Sequence, residues 1–293
     1  MKKAITALIF VITIGGIIFI LKINGEKSIN EEQSFDAKQI EELEINMESW
    51  DIALENTESE KLTIEFEGKL QEKQESNPVE IKKDENKIKV HQQDTEVGVM
   101  KNFSFGKKGT IHISVPKNAV NKIALKNSDG DIKINNIETE ELSISTDSGT
   151  KIIKGLSADK GTITSKDGEL SIVDSIINEL TIASTNSDSY ITRVNSPKTK
   201  ITSTSGEVFM KEIIEGKSLF VETASGDITI SYKEAPKSLG LIATSESSDI
   251  SVNLEGYQKE KHTNKLKKGK IGDASNKLEL ISKEGIITVK GSE

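Results

Sequence analysis

Residues 223–230 read Thr-Ala-Ser-Gly-Asp-Ile-Thr-Ile, and this octet decides the fold. A turn closes on Gly226, and isoleucines follow at alternate positions, Ile228 and Ile230. Glycine supplies the positive φ that Ser-Gly and Asp-Gly turns call for, and alternation is the mark of a strand with one buried face. The signature recurs at 127–134 (NSDGDIKI), 146–153 (TDSGTKII), 165–172 (SKDGELSI), 204–210 (TSGEVFM) and 282–289 (SKEGIITV). Copies at 185–191 (TNSDSYI) and 247–252 (SSDISV) have lost the glycine. The turn slots fall at 130, 149, 168, 188, 206, 226, 248 and 285. The last gap is nearly twice the others and holds an insertion. Apolar pairs also precede the slot, as in Ile123/Leu125, Leu142/Ile144, Leu219/Val221 and Leu278/Leu280. The copy at 185–191 aligns with its pair Leu180/Ile182 only after a one-residue shift, which a β-bulge would absorb.

Self-similarity at about 20 residues predicts stacked units. A propeller blade needs four strands and about 40 residues, so two strands per unit favour a β-solenoid. The expected class is therefore all-β, a solenoid of two-strand coils occupying residues 40–293. Inward Ile/Leu/Val ladders form its core, and outward Ser, Thr, Lys and Asp face water. Less regular pairs at Leu43/Ile45, Ile52/Leu54, Leu62/Ile64/Phe66, Ile88/Val90 and Ile111/Ile113/Val115 extend the theme toward the N-terminus. Residues 71–78 and 95–109, the latter with Phe103 and Phe105, read as exposed loops.

Ahead of the repeats, the run from Ala4 to Leu21 holds 18 residues without a charge. As a helix it is about 27 Å long, close to the hydrocarbon thickness of a bilayer. Lys2, Lys3 and Lys22 flank it. The expectation is a transmembrane helix with its tip (1–22), a polar stalk (23–39), a cytoplasmic N-terminus and an extracytoplasmic remainder. A cleaved signal peptide would have a shorter apolar region and a small-x-small site, which Leu21-Lys22-Ile23-Asn24-Gly25 does not offer. Formal charge follows these divisions: +3 over residues 1–22, −12 over 23–98 and +1 over the rest. Zero Cys excludes a disulfide scaffold, a thiolate metal site and a lipoprotein anchor.

Chemistry is sparse. His91, His112 and His262 sit in no metal-ligand spacing, and His112, between Ile111 and Ile113, should face solvent. The turn residues Asp129, Asp131, Asp147, Asp167, Asp227 and Asp249 invite a calcium test. The unit is twice the length of a calcium β-roll repeat and lacks its paired glycines, so these Asp are expected to bond their own backbone. No serine lies in a G-x-S-x-G elbow. A polysaccharide-cleaving solenoid would need a carboxylate pair on one face, and aromatics that could stack on sugars make up only 4% of the chain. No catalytic residue, cofactor or metal is therefore expected, and no nucleic-acid module is present. Residues 259–270 (KEKHTNKLKKGK) set Lys259, Lys261, Lys265, Lys267, Lys268 and Lys270 against Glu260. They read as a solvated loop or as a contact for a polyanion, an anionic wall polymer or lipid headgroup.

Val115-Pro116 followed by 123–134 (IALKNSDGDIKI) resembles a bacterial β-repeat family called "putative adhesin", and 223–230 matches its T-x-S-G-D-I-x-I unit. Residues 269–280 (GKIGDASNKLEL) and 285–289 (GIITV) resemble its C-terminal repeat. With the N-terminal run, the chain is similar to LiaG-like membrane-anchored proteins of Gram-positive bacteria. The resemblance implies a β-repeat surface domain, a link to envelope stress and no catalytic residues. The expected function is a non-catalytic, envelope-associated interaction or stress-response protein with an envelope protein or wall polymer as partner. A surface adhesin is the alternative, and a polysaccharide-acting enzyme a more distant one.

Overall fold

The computed structural model describes residues 8–13, 16–23, 26–70, 78–93, 109–246 and 249–291. They are almost wholly β; a three-residue 3-10 turn, Ala37–Gln39, is the one helical element among them. The chain forms two compact units, Met1–Thr139 and Glu140–Glu293.

The first unit holds β1 (Leu8–Thr13), β2 (Gly16–Ile23), β3 (Glu26–Asp36), β4 (Glu42–Met47), β5 (Trp50–Thr57), β6 (Lys61–Leu70), β7 (Val79–Asp84), β8 (Lys87–Gln92), β9 (Gly109–Pro116), β10 (Lys122–Asn127) and β11 (Ile132–Asn135). One sheet runs β1-β2-β3-β6-β9-β5-β11 and the other β7-β8-β4-β10. The coil made by β4 and β5 has parallel neighbours on both sides, β8 and β9 on one and β10 and β11 on the other. Its Trp50 is fully buried, edge-on to Phe66 with ring centroids 6.1 Å apart.

The second unit holds β12 (Glu138–Thr146, which starts just before it), β13 (Lys151–Lys154), β14 (Ser157–Ser165), β15 (Glu169–Val173), β16 (Ile176–Ser184), β17 (Asp188–Thr192), β18 (Lys198–Ser203), β19 (Val208–Ile213), β20 (Ser218–Thr223), β21 (Ile228–Tyr232), β22 (Leu239–Ser245), β23 (Ile250–Asn253), β24 (Gln258–His262), β25 (Leu266–Ile271), β26 (Asn276–Ser282) and β27 (Ile287–Lys290). One sheet runs β13-β15-β17-β19-β21-β27-β23, the other β12-β14-β16-β18-β20-β26-β22-β25-β24. Parallel register lines up one inward row as Ile153, Ile172, Ile191, Met210, Ile230 and Val289. The facing row is Ile163, Ile182, Ile201, Val221, Leu280 and Ala243. All are buried. Burying a β-branched or Leu side chain of this size contributes roughly 1.5–3 kcal/mol. Short strands that bury alternate residues thus make a full core from a chain with only 34% hydrophobic residues.

The slot glycines serve two purposes, of which only one was expected. Gly149 and Gly168 do have positive φ, 89° and 88°. At Gly206, Gly226 and Gly285 the reason is contact: a Cβ would strike the carbonyl of Ser187, Gly206 and Gly226 respectively, on the neighbouring coil. The left-handed conformation recurs at another corner of the coil, at Gly155, Asp174, Arg193 and Glu212, spaced 19 residues apart. There Arg193 pairs with Asp174 at 2.6 Å, one rung away.

The expected bulge in the degenerate copy is absent, because its slot is Ser187 rather than residue 188. Gly206 lies over Ser187, and Asp188 pairs with Glu169, the residue after slot 168. The slots then step by 19 from 130 through 149, 168, 187 and 206. An irregularity does occur later, between Met210 and Ile213, where the next unit lengthens to 20.

Three expectations meet the N-terminal part of the fold. The transmembrane helix over Ala4–Leu21 is not shown: within that run β1 and β2 are antiparallel strands, and no described helix is long and apolar enough to cross a membrane. An uncharged run rich in Ile with a Gly-Gly pair at its middle fits a hairpin as well as a helix, and periodicity cannot separate them. The polar stalk is in part β3, which pairs with β6 from Lys27↔Leu70 to Asp36↔Lys61. Its inward face mixes Ile29 with a buried Glu31, bonded by Gln33 at 2.7 Å, so composition hid the strand. The two expected loops, like the slot of the copy at 247–252, lie largely outside the described residues.

Gly226→Ala should therefore cost about 1–3 kcal/mol through overpacking against the Gly206 carbonyl. Gly291→Ala, with open space around its Cβ, should be neutral. Denaturant unfolding of both variants checks this.

Candidate functional site

The T-x-S-G-D residues resolve into three structural roles. The hydroxyl three places before the slot points inward and holds the turn. Thr223 Oγ1 donates to the Gly226 carbonyl at 2.7 Å, and Ser282 Oγ accepts from the Gly285 amide at 2.8 Å. Thr223 and Ser282 also meet each other at 3.2 Å, coil to coil. The glycine admits the neighbouring carbonyl. The acid after the slot accepts a backbone N–H from another coil: Asp51 from Asp131, Asp188 from Glu207 and Asp227 from Ile286, at 2.7–2.9 Å. Of the turn aspartates expected to bond their own backbone, Asp227 thus bonds another rung's instead. No group of three or more metal-ligating side chains comes together among the described residues.

The histidines are scattered. His112 is exposed, as its alternation predicted. His91 meets Glu80 at 2.7 Å, and hydrogen bonds from Lys82 and Gln93 hold the Glu80 carboxyl down at about 2. An open groove of about 200 Å³ is lined by Ser184, Thr202, Thr204, Glu222 and Lys283 among others. Glu222 is the one carboxylate in its lining, and paired-carboxylate hydrolysis needs two.

Lysine-rich residues 259–270 are a strand pair rather than a loop. β24 and β25 form an antiparallel hairpin, and β25 pairs antiparallel with β22. Register divides the six candidate lysines. Lys268 lies opposite Ile242 and Lys261, and Lys270 opposite Gly240 and Gln258, so Lys261, Lys268 and Lys270 share the outer face beside the exposed Ile242. Lys259 and Lys267 lie on the other face with His262, and Lys265 stands in the turn. Burial, then Lys259 and Lys267, lower the His262 pKa. Lys268 reaches Glu260 at 3.3 Å, an exposed pair that contributes little. β24 is the edge of its sheet, and lysines on an edge strand discourage pairing with other chains.

Lys151 was not anticipated. It is fully buried at an inward position where register-matched coils carry Leu170, Ser189 and Val208. Its ammonium donates to the Gly149 carbonyl at 2.9 Å, Ser165 Oγ at 2.6 Å and the Asp167 carbonyl at 2.9 Å. The sequence signal was a lysine breaking the apolar column two residues after slot 149. Lys151→Met should leave these acceptors short of a donor and cost about 1–3 kcal/mol. An unfolding midpoint at or above the parent's would contradict this role.

The fold has a counterpart in a protein from Bacteroides fragilis, called a "putative adhesin". It superposes with a TM-score of 0.54 at 14% identity, over 90% of this chain and 97% of that one. A protein of the same description from Parabacteroides merdae gives 0.44 at 12% identity, covering 90% and 96%. A "putative lipid binding protein" from Parabacteroides distasonis gives 0.40 at 10% identity, covering 90% and 97%. No curated protein matches the chain. The family model described as Toastrack DUF4097 matches residues 40–290.

Proposed function

The chain belongs to the Toastrack DUF4097 family, and from that premise we propose a non-catalytic, membrane-anchored interaction protein of the bacterial envelope. The carrying observation is the β24/β25 hairpin, where Lys261, Lys268 and Lys270 share one solvent face with Ile242. Its complement is a phosphate-rich polyanion, a wall polymer or an anionic headgroup. Similarity to LiaG-like proteins supports a part in envelope stress. The B. fragilis neighbour's name supports the adhesin alternative.

The anchor is the run from Ala4 to Leu21. Hydrocarbon offers no partner to the backbone of an open hairpin edge, so in a bilayer this run must become a helix. The N-terminus then stays cytoplasmic and the repeats lie outside. The protein should remain in the membrane pellet after an alkaline carbonate wash; release into the supernatant would overturn the anchor.

Polyanion binding is tested on the full chain in neutral nanodiscs, titrated with soluble polyphosphate and with phosphatidylglycerol vesicles. Replacing Lys261, Lys268 and Lys270 by Gln should weaken binding on the order of 100-fold, at roughly 1 kcal/mol per lysine near an anionic surface. Added salt should weaken it further. Polyphosphate binding without vesicle binding assigns the site to a wall polymer. Equal affinity of parent and triple variant sinks the polyanion reading.

A further inference from the structure

The second unit stacks its last coils out of chain order. The chain lays down β20 and β21, leaves one rung empty, and builds β22 and β23 beyond it. It then turns through the β24/β25 hairpin and returns to fill the empty rung with β26 and β27. Both sides of the inserted coil are parallel and in matched register. Leu278 pairs with Leu219 on one side and Leu241 on the other, and Ile287 likewise with Ile228 and Ile250. The rung is thus a slot with two complete walls, both made of residues that precede its occupant in the chain.

We propose that this slot accepts residues 276–290 from a second copy of the chain, so that two copies join by reciprocal coil exchange. The exchanged coil would make the same hydrogen bonds and fill the same core positions as the chain's own, so the cost falls on association and on the hinge. The hinge is short, residues 272–275, and crosses the start of β22. Two of its residues are left-handed, Gly272 (φ 60°) and Ala274 (φ 57°), a conformation that disfavours alanine. Short hinges under strain favour swapping.

The closed form is held by a local clasp. Glu215 accepts from the Lys237 amide at 2.7 Å, the Ser238 amide at 3.1 Å and Asn276 Nδ2 at 3.0 Å. Ser238 Oγ bonds the Asp273 carboxylate and meets Ser275 Oγ at 2.7 Å. Packing is imperfect where the coil enters: Leu219, Tyr232, Leu239 and Lys277 line a cavity of about 20 Å³, room for one water. The bond from Asn276 to Glu215 travels with the coil and is remade on exchange, so the positioning residue that sets the balance between closed and exchanged forms is Ser238, which bonds Asp273 and Ser275 of the hinge.

Because the chain has no Cys, the test is direct. Thr223 and Ser282 are buried partners across β20 and β26. Thr223→Cys and Ser282→Cys are made separately in the full chain, mixed in detergent, unfolded and refolded together at rising concentration, then oxidised. A disulfide-linked heterodimer is expected, its yield rising with concentration. Adding Ser238→Ala, which frees the hinge, should raise that yield at least about fivefold at fixed concentration. The double variant, Thr223→Cys with Ser282→Cys, should close within one chain and yield no linked dimer. Internal closure of the double variant with no heterodimer from the mixture would overturn the exchange. Failure of the double variant to close would overturn the placement of the coil on which it rests.

Discussion

Coil-to-coil approach at the turn slot is the contact on which the rest of the structure depends. The slot carbonyl of one coil occupies the place a Cβ would need on the next, so Gly206, Gly226 and Gly285 each sit on the carbonyl of a neighbouring slot. That closeness brings the inward hydroxyls of Thr223 and Ser282 within reach of each other and of the turn carbonyls. It also lets Asp188 and Asp227 accept amides from another rung. A buried turn with unsatisfied polar groups would cost more than its apolar neighbours return. The hydroxyl ladder removes that cost, and Lys151 does the same by another route where its ammonium serves three acceptors.

Ladders of this kind can continue indefinitely, so a solenoid must end itself. In the second unit the end is the β24/β25 hairpin, antiparallel where the preceding rungs are parallel. Its lysines therefore carry two meanings. On an edge strand they oppose further pairing; on the outer face beside Ile242 they offer charge to a polyanion. The two are compatible, because edge protection needs charge in either direction from the strand while binding needs several cations on one face.

Most of the repeat was legible because its period is written in turn chemistry and alternation. Ile228/Ile230, Leu219/Val221 and Ile287/Val289 are buried partners as their spacing implied. The misplaced slot at residue 188 shows the limit: Asn, Ser and Asp all suit turns, and only the step of 19 picks out Ser187. Of the candidate site, the lysines were visible as a charge run. Their division between two faces was not, since a bulge near Glu260 changes the alternation and pairing partners set the faces. Lys151 was overlooked because a lone lysine in a Lys-rich chain stands out only after its column is known to be buried.

The sequence by itself determined the repeat, its two strands per unit and its inward and outward faces, because period and turn chemistry are local. Tertiary structure alone decided which coil stacks on which. β4/β5 and β26/β27 each lie between coils that are distant in the chain, and nothing local marks them. Most rungs share one register and one pattern of apolar pairs, so local pattern does not dictate which coil adjoins which. At the inserted coil of the second unit, the chain crosses at residues 272–275 and Glu215 bonds both Ser238 and Asn276, tying the coil to the strand beyond it.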